Sequence, residues 1–471
     1  VTLVAQSPAV DAPLLTCVAE ALDSERIRYC QWKGHFKQAT WITGKGDIDL
    51  LVAPESLARF VEVLRLAGFV QTTNLDDYKL LGTAHYRAHD PATGRMLHLH
   101  VHTRILIEAA RGLVYRLPFE DAMIASARRG SATLFRTPAP GVEAVVLVLR
   151  TTVRWASWRR IPTETREELA YLEGLTDSRY YVDALRRHAP GISPELFRQC
   201  RAALAAGATL RERWLARLGL TRALAAFSRP PTLTERVIHA LAAAAWHLRG
   251  GPRPFSRARL TNGGVVFALV GADGAGKSTC ARALKEWLTP HVDVRAFHMG
   301  RPRRSLATLV VGGALKLAPR VPALRLLRHV CSARDRWLLA RTVHAAAMNG
   351  AICIVERYPI PLNRQLVGPW IPELYHGNPP AGVPRLLAAA EARYYHRIPS
   401  PNVVITLQIA PHDAVRRKTD EPADYVRARA DLVWKIDWTA SGARVVDAGR
   451  PLPAVLADLR TVIWETLQPC R

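Results

Sequence analysis

Two rhythms of apolar and polar residues divide the chain. In the first part, residues 14–22 carry apolar side chains at helical spacing, residues 27–32 read as a strand, and Lys33-Gly34 as a turn. Residues 44–52, Gly-Lys-Gly-Asp-Ile-Asp-Leu-Leu-Val, predict a turn running into a strand. Alternation across the pleat puts Asp47 and Asp49 on one face, with Ile48 and Leu50 on the other. A helix is predicted over 57–68. Met96-Leu-His-Leu-His-Val-His102 predicts a strand whose apolar residues face one way and His98, His100 and His102 the other. From about 117 to 249 helical spacing dominates. Residues 141–150, running into Trp155 and Trp158, predict a buried helix; 165–175, 194–206 and 234–248 predict others, with Pro or Gly between them. Arg249-Gly-Gly-Pro-Arg-Pro254 has the composition of a linker.

Beyond the linker the rhythm changes to short continuous apolar runs. Residues 265–270, Val-Val-Phe-Ala-Leu-Val, predict a strand covered on both faces, as in a parallel sheet. Runs at 351–356, 402–408 and 445–447 predict further strands, and 280–288 and 453–467 helices. This alternation is that of an α/β fold, a parallel sheet flanked by helices. The first strand leads into Gly271-Ala-Asp-Gly-Ala-Gly-Lys-Ser-Thr279, which fits G-x-x-x-x-G-K-[ST] without a mismatch. Such a loop turns successive backbone N–H groups towards a phosphate chain, its lysine (Lys277) reaches the β/γ-phosphates, and its serine (Ser278) ligates Mg²⁺. The following helix adds a favourable dipole. Gly271, Asp273, Gly274, Gly276, Lys277, Ser278 and Thr279 are therefore the expected nucleotide-binding residues.

Composition narrows the alternatives. The 471 residues exceed one typical core, and 49% hydrophobic with 22% charged residues is globular. No run of about 18 apolar residues exists, so no membrane span is expected. Seven scattered cysteines without a C-x-x-C pair, and no signal-peptide pattern, predict a reducing cytoplasm. The formal charge of +25 raises the question of nucleic acid. Only nine basic residues are Lys, the arginines are spread along the chain, and no nucleic-acid module accompanies them, so nucleic acid is not the expected partner; phosphorylated substrates or an anionic surface would also suit the charge.

Candidate chemistry follows from strand ends. Glu356, closing the 351–356 strand, lies where α/β sheets bind ligands and can hold the Mg²⁺ shell or accept a proton. Arg357 would meet an acceptor phosphate through charge-assisted bonds. The segment Pro411-His-Asp-Ala-Val-Arg-Arg-Lys418, with Arg427 and Arg429 beyond it, can close over ATP and offset charge on the phosphoryl group in flight. In the first part, Asp47 and Asp49 can share divalent cations.

Taken together, residues 265–467 resemble the thymidylate kinase family. That family's P-loop commonly reads G-x-D-G-x-G-K-S-T, matched here including Asp273. Its D-R-Y matches Glu356-Arg357-Tyr358 with Glu for Asp, and its helical D-R pair is similar to Ala333-Arg-Asp-Arg336. The resemblance implies that Arg336 touches a transferred or accepting phosphate, and that Arg416 and Arg417 are lid arginines. It also allows a dimer. The acceptor elements depart: Phe297-His-Met-Gly-Arg-Pro302 stands where the family has R-E-P, and residues 363–372 replace its Y-Q-G. The basic, hydrophobic insertion 303–327 is unlike a thymine pocket; residues 309–327 are expected to form a lid or a core helix in preference to a basic amphipathic segment on a membrane.

The first hundred residues resemble the nucleotidyltransferase superfamily, in the order K-G, spacer, G-D-I-D-L-L-V, helix, G-F. The resemblance implies that Gly34 lies by a triphosphate and that Asp47 and Asp49 bind metal. His100 takes the place where a third acid is often found, which leaves a repurposed metal site or a catalytically silent domain. The expected organisation is a nucleotidyltransferase-like α+β domain (1–116), a helical region and linker (117–254) and a thymidylate kinase-like P-loop domain (255–471). The expected function is Mg²⁺–ATP-dependent phosphotransfer to a small phosphorylated or hydroxylated acceptor that need not be dTMP. Lys277, Glu356, Arg357, Arg336 and Arg416 are the expected catalytic residues, and Ser278, Glu356, Asp47 and Asp49 the metal ligands. The alternatives are nucleotidyl transfer at Asp47 and Asp49, or a non-catalytic nucleotide sensor or scaffold.

Overall fold

The computed structural model describes residues 12–44, 46–73, 82–109, 113–130, 133–154, 161–176, 178–229, 237 and 258–468. Trp155, Trp158, the predicted 234–248 helix apart from residue 237, and the 249–254 linker lie outside the described residues. The chain forms two compact units, residues 1–256 with 468–471, and 257–467.

In the first unit, strands β1 (Tyr29–Lys33), β2 (Ile48–Val52), β3 (Val70–Thr73), β4 (Thr83–Asp90) and β5 (Arg95–His102) lie in the order β1-β2-β5-β4-β3. The pair β2–β5 is parallel, and its neighbours on either side are antiparallel. The helices Pro13–Ser24 and Leu57–Leu66 close one face of this sheet. Their Leu15, Val18, Leu22, Phe60 and Leu64 share a core with Ile48, Leu50, Leu97, Leu99 and Val101. Cys30, Trp32 and Leu51 point the other way, into a second core built around the helix Pro140–Arg154. That helix is buried along most of its length, as its continuous apolar run predicts. The same core takes in β6 (Ile105–Glu108) and β7 (Val114–Leu117), which form a small sheet with β8 (Ser228–Arg229), and the helices Thr163–Gly174, Pro194–Ala202 and Leu210–Ala223.

The second unit begins with the short strand β9 (Arg259–Leu260). Its sheet comprises β10 (Val265–Gly271), β11 (Val294–His298), β12 (Ile352–Glu356), β13 (Val403–Gln408) and β14 (Arg444–Asp447), in the order β11-β12-β10-β13-β14. Every pairing is parallel. Burial explains the unbroken apolar runs: residues 266–270 and 352–355 are covered on both faces. On one face Val266, Ala268, Cys353 and Val355 pack against Ala340, Val343, Ala346 and Ala347 of the long helix Pro322–Met348. The helices Lys277–Leu288 and Leu452–Leu467 pack together and onto the sheet.

Two expectations need adjustment. The helix Leu306–Leu317 buries none of its residues, so it is not a core helix. The 194–206 helix stops at Ala202. No described helix is long and apolar enough to cross a membrane.

Candidate functional site

In the second unit the site grows from the carboxyl end of β10. Two loop glycines have left-handed backbones that side-chain-bearing residues avoid: Gly274 at φ +85° and Gly276 at φ +81°. A Cβ at Gly274 would also stand 2.7 Å from the Ala414 carbonyl oxygen. Gly276 caps the helix Lys277–Leu288, whose first residue turns its side chain back over the loop. Lys277 Nζ donates to the Gly271 oxygen at 3.0 Å and the Ala272 oxygen at 2.7 Å. Burial, with Arg357 nearby, pushes this ammonium down to about 8. Ser278 Oγ donates to the Glu356 carboxylate at the end of β12. These two adjacent oxygen groups are the donor type a hard divalent ion takes.

Asp273 gathers the cations. It pairs with Arg357, and its Oδ2 lies 2.9 Å from Arg429 Nε. Burial alone would raise the Asp273 pKa, but Arg357, Lys277 and Arg429 outweigh it and hold the carboxyl below its ordinary value. Arg357 itself sits at φ +55°, a strained conformation for a residue with a Cβ, costing about 1 kcal/mol. Beside this knot lies a cavity of about 320 Å³, lined by Asp273, His298, Arg301, Arg336, Arg357, Trp370, Tyr425 and Arg429 among others. Arg336 is buried: its Nε donates to the Met299 oxygen at 3.2 Å and its Nη1 to Tyr395 OH at 3.1 Å.

The structure thus brings together Asp273, Lys277, Ser278, Glu356, Arg357 and Arg336. It does not bring in Arg416, whose side chain is 80% exposed beside Asp413. Arg417 donates to the Ala448 and Gly449 oxygens. Within the Arg-rich segment it is Arg429 that turns inward; on the helix Ala423–Trp434 only the helical register separates it from exposed Arg427. Arg301, His298, Trp370 and Tyr425 were not singled out as site residues. His298 ends β11 and Arg301 lies just after it, where strand-end position was the available signal. Trp370 lies in the 363–372 segment that replaces the acceptor element, and Tyr425 carried no signal.

In the first unit Asp49 stands opposite His100 across the parallel pair β2–β5, with His102 two residues on. Asp49 Oδ1 collects Lys33 Nζ at 2.9 Å, His102 Nε2 at 3.0 Å and His100 Nδ1 at 3.2 Å. Asp47 Oδ2 lies 3.7 Å from His100 Nδ1. His98 turns instead to His85, at 2.9 Å between ring nitrogens, and His85 stacks on His100 at 4.1 Å. Burial raises the Asp49 pKa, but the Lys33 charge and the hydrogen bonds of both histidines override it and hold the carboxyl well below the usual range. Burial pushes His102 down to about 4, so its ring is neutral at pH 7. A cavity of about 450 Å³ adjoins this cluster, lined by Lys33, Asp47, His100, His102, Arg150 and Arg154 among others. Gly34, at φ +74°, lines a neighbouring cavity with Asp47 and Asp49.

No protein-family model matches the chain, and no curated protein does. Among solved structures it is similar to the thymidylate kinase of Candida albicans, at 17% identity over 44% of this chain and 94% of that one, with a TM-score of 0.32. At that score the likeness adds nothing to the sheet order and loop geometry already described.

Proposed function

We propose that the second unit is a Mg²⁺–ATP-dependent phosphotransferase acting on a small phosphorylated or hydroxylated acceptor, with a nucleoside monophosphate the first candidate. The observation that carries this reading is adjacency. A phosphate-binding loop with a buried lysine shares Asp273 and Arg357 with a cavity lined by four arginines. ATP supplies the transferable γ-phosphoryl group. The loop amides and Lys277 hold its polyphosphate, and Ser278 and Glu356 would hold the Mg²⁺, which would offset charge on the phosphates. Arg357 and Arg336 bind and orient the acceptor's anionic group, and Arg429 offsets charge from the opposite wall. Positioning and electrostatics, with little covalent chemistry by the protein, account for catalysis of this class.

Labelled ATP tests the reading. Transfer of γ-label to an acceptor supports it; α-label on the product supports nucleotidyl transfer at Asp47 and Asp49. ATP binding with no turnover across a broad acceptor screen supports a sensor. The first unit favours nucleotidyl transfer less well, because the position opposite Asp49 carries His100 and a lysine already sits on the carboxylate.

A further inference from the structure

The first unit's carboxylates do not fit a Mg²⁺ pair, and the misfit is informative. Mg²⁺ takes an octahedron of oxygens; here Asp49 is flanked by two imidazole nitrogens. We propose that Asp49, His100 and His102 form a mononuclear centre for a borderline divalent ion of the Zn²⁺ class. Their ligand atoms lie within 4.8 Å of one another. The 3.0 and 3.2 Å separations between Asp49 Oδ1 and the two ring nitrogens are close to the edge of a tetrahedron, about 3.4 Å for ligands about 2.1 Å from zinc. A cation already occupies this locus in the form of the Lys33 ammonium, which an arriving ion would displace from the same oxygen. Three protein donors leave a fourth position. The adjoining cavity brings Arg150 and Arg154 to it, so the fourth ligand is an oxyanion such as a phosphate group.

Metal-stripped full-length protein titrated with Co²⁺ tests this. The expected result is one Co²⁺ per chain with visible ligand-field bands, displaced by Zn²⁺ but not by equimolar Mg²⁺. His100→Ala and His102→Ala should each weaken binding about 100-fold or more. His98→Ala, on the same strand but turned to His85, should bind as the parent does. X-ray absorption of the Zn²⁺-loaded parent, which needs no variant to fold, should show imidazole scattering and no sulfur. No Co²⁺ spectrum, displacement by Mg²⁺, sulfur ligation, or unchanged affinity in both histidine variants would overturn the assignment.

A separate observation concerns the helix Leu306–Leu317 in the second unit. Leu306, Leu309, Val310, Gly313 and Leu317 form one stripe at helical spacing, and all are exposed; Leu306 is 80% and Leu317 89% exposed. The half-buried face carries Thr308, Val311 and Leu315, and Thr308 Oγ1 ties it to the next helix by donating to Asp335 at 2.6 Å, so the exposed stripe is not the face the fold uses. Exposed Arg303, Arg304, Lys316 and Arg320 surround the stripe, and residues 294–334 contain no Asp or Glu. Apolar side chains ringed by cations match an anionic lipid surface, where the stripe enters the acyl boundary and the cations meet headgroups. We infer that this helix docks the protein peripherally on anionic membranes.

Flotation of the full chain with phosphatidylcholine vesicles, with and without phosphatidylglycerol, tests the inference. Binding should require phosphatidylglycerol and weaken with salt. Leu306→Ser with Val310→Ser should reduce bound protein roughly tenfold or more, with thermal melting unchanged because both residues are exposed. Absence of phosphatidylglycerol-dependent binding, equal binding by the double variant, or a stripe-dependent dimer by light scattering without vesicle binding would overturn it.

Discussion

Both units end a parallel strand pair in a cluster of charge, and each cluster contains a lysine drawn inward. The second unit places Lys277 on main-chain carbonyl oxygens and leaves its carboxylates to a hydroxyl and to arginines. The first unit places Lys33 directly on Asp49 and surrounds the carboxylate with imidazoles. The contrast lies in donor type. Backbone amides, hydroxyl and carboxylate suit phosphates and hard ions; imidazole with a single buried carboxylate suits a softer one. Similar placement at strand ends therefore does not imply similar chemistry.

The sharpest way to break this comparison is to remove the lysine in the second unit and the carboxylates in the first. Lys277→Ala should lower phosphoryl transfer roughly 10³-fold with the fold intact, as read by γ-label transfer and circular dichroism. Asp47→Asn with Asp49→Asn should leave that transfer unchanged, and any α-label chemistry should vanish in it. Next in size, Arg357→Met should cost about 100-fold in kcat/KM for the acceptor. Arg416→Ala, outside the cavity, should leave kcat/KM nearly unaltered. Equal losses from both arginines would mean that the lid helix closes on the site during turnover.

A smaller effect concerns the loop itself. Gly274→Ala should destabilise the second unit by about 1–3 kcal/mol, read by differential scanning calorimetry, because its Cβ would meet a carbonyl in a left-handed backbone. The smallest effects are pH-dependent and have opposite directions. The Lys277 ammonium, pushed down to about 8, loses its proton as pH rises through that value. Nucleotide affinity should therefore fall above pH 8 by at most about tenfold per unit, and binding near pH 8 should take up protons. Calorimetry in buffers of different ionisation heat measures both. Asp49 has a depressed pKa, so its contribution to stability is complete above the unfolded value of about 4 and is lost as pH falls below it. Asp49→Asn should flatten the acid side of the melting curve.

How much of this was legible differs between the units for a physical reason. The P-loop could be read because a contiguous motif needs no tertiary information: strand, glycine turn and helix follow one another. The strand alternation around Asp47 and His100 was equally local. The convergence of His100 and His102 on Asp49 Oδ1 depended on β2 and β5 being neighbours, which a pleat pattern cannot express. Arg429 was chosen over Arg416 by helix rotation and by the knot around Asp273, both tertiary. The 309–327 segment read as a lid or a core helix, and the core alternative failed because apolar periodicity reports a face without saying what covers it. The 14–22, 57–68 and 280–288 helices were accessible for the opposite reason, since their apolar faces do meet a sheet.

Asp273 has one more consequence. Four cationic side chains crowded round a small cavity would ordinarily repel one another and splay outward. The carboxylate keeps two of them converged, so a phosphate bound as proposed would meet guanidinium groups whose rotamers are already chosen. On the proposed reading Asp273 would serve as an understudy for that anion, holding the arginines together until a more highly charged group takes over their pairing.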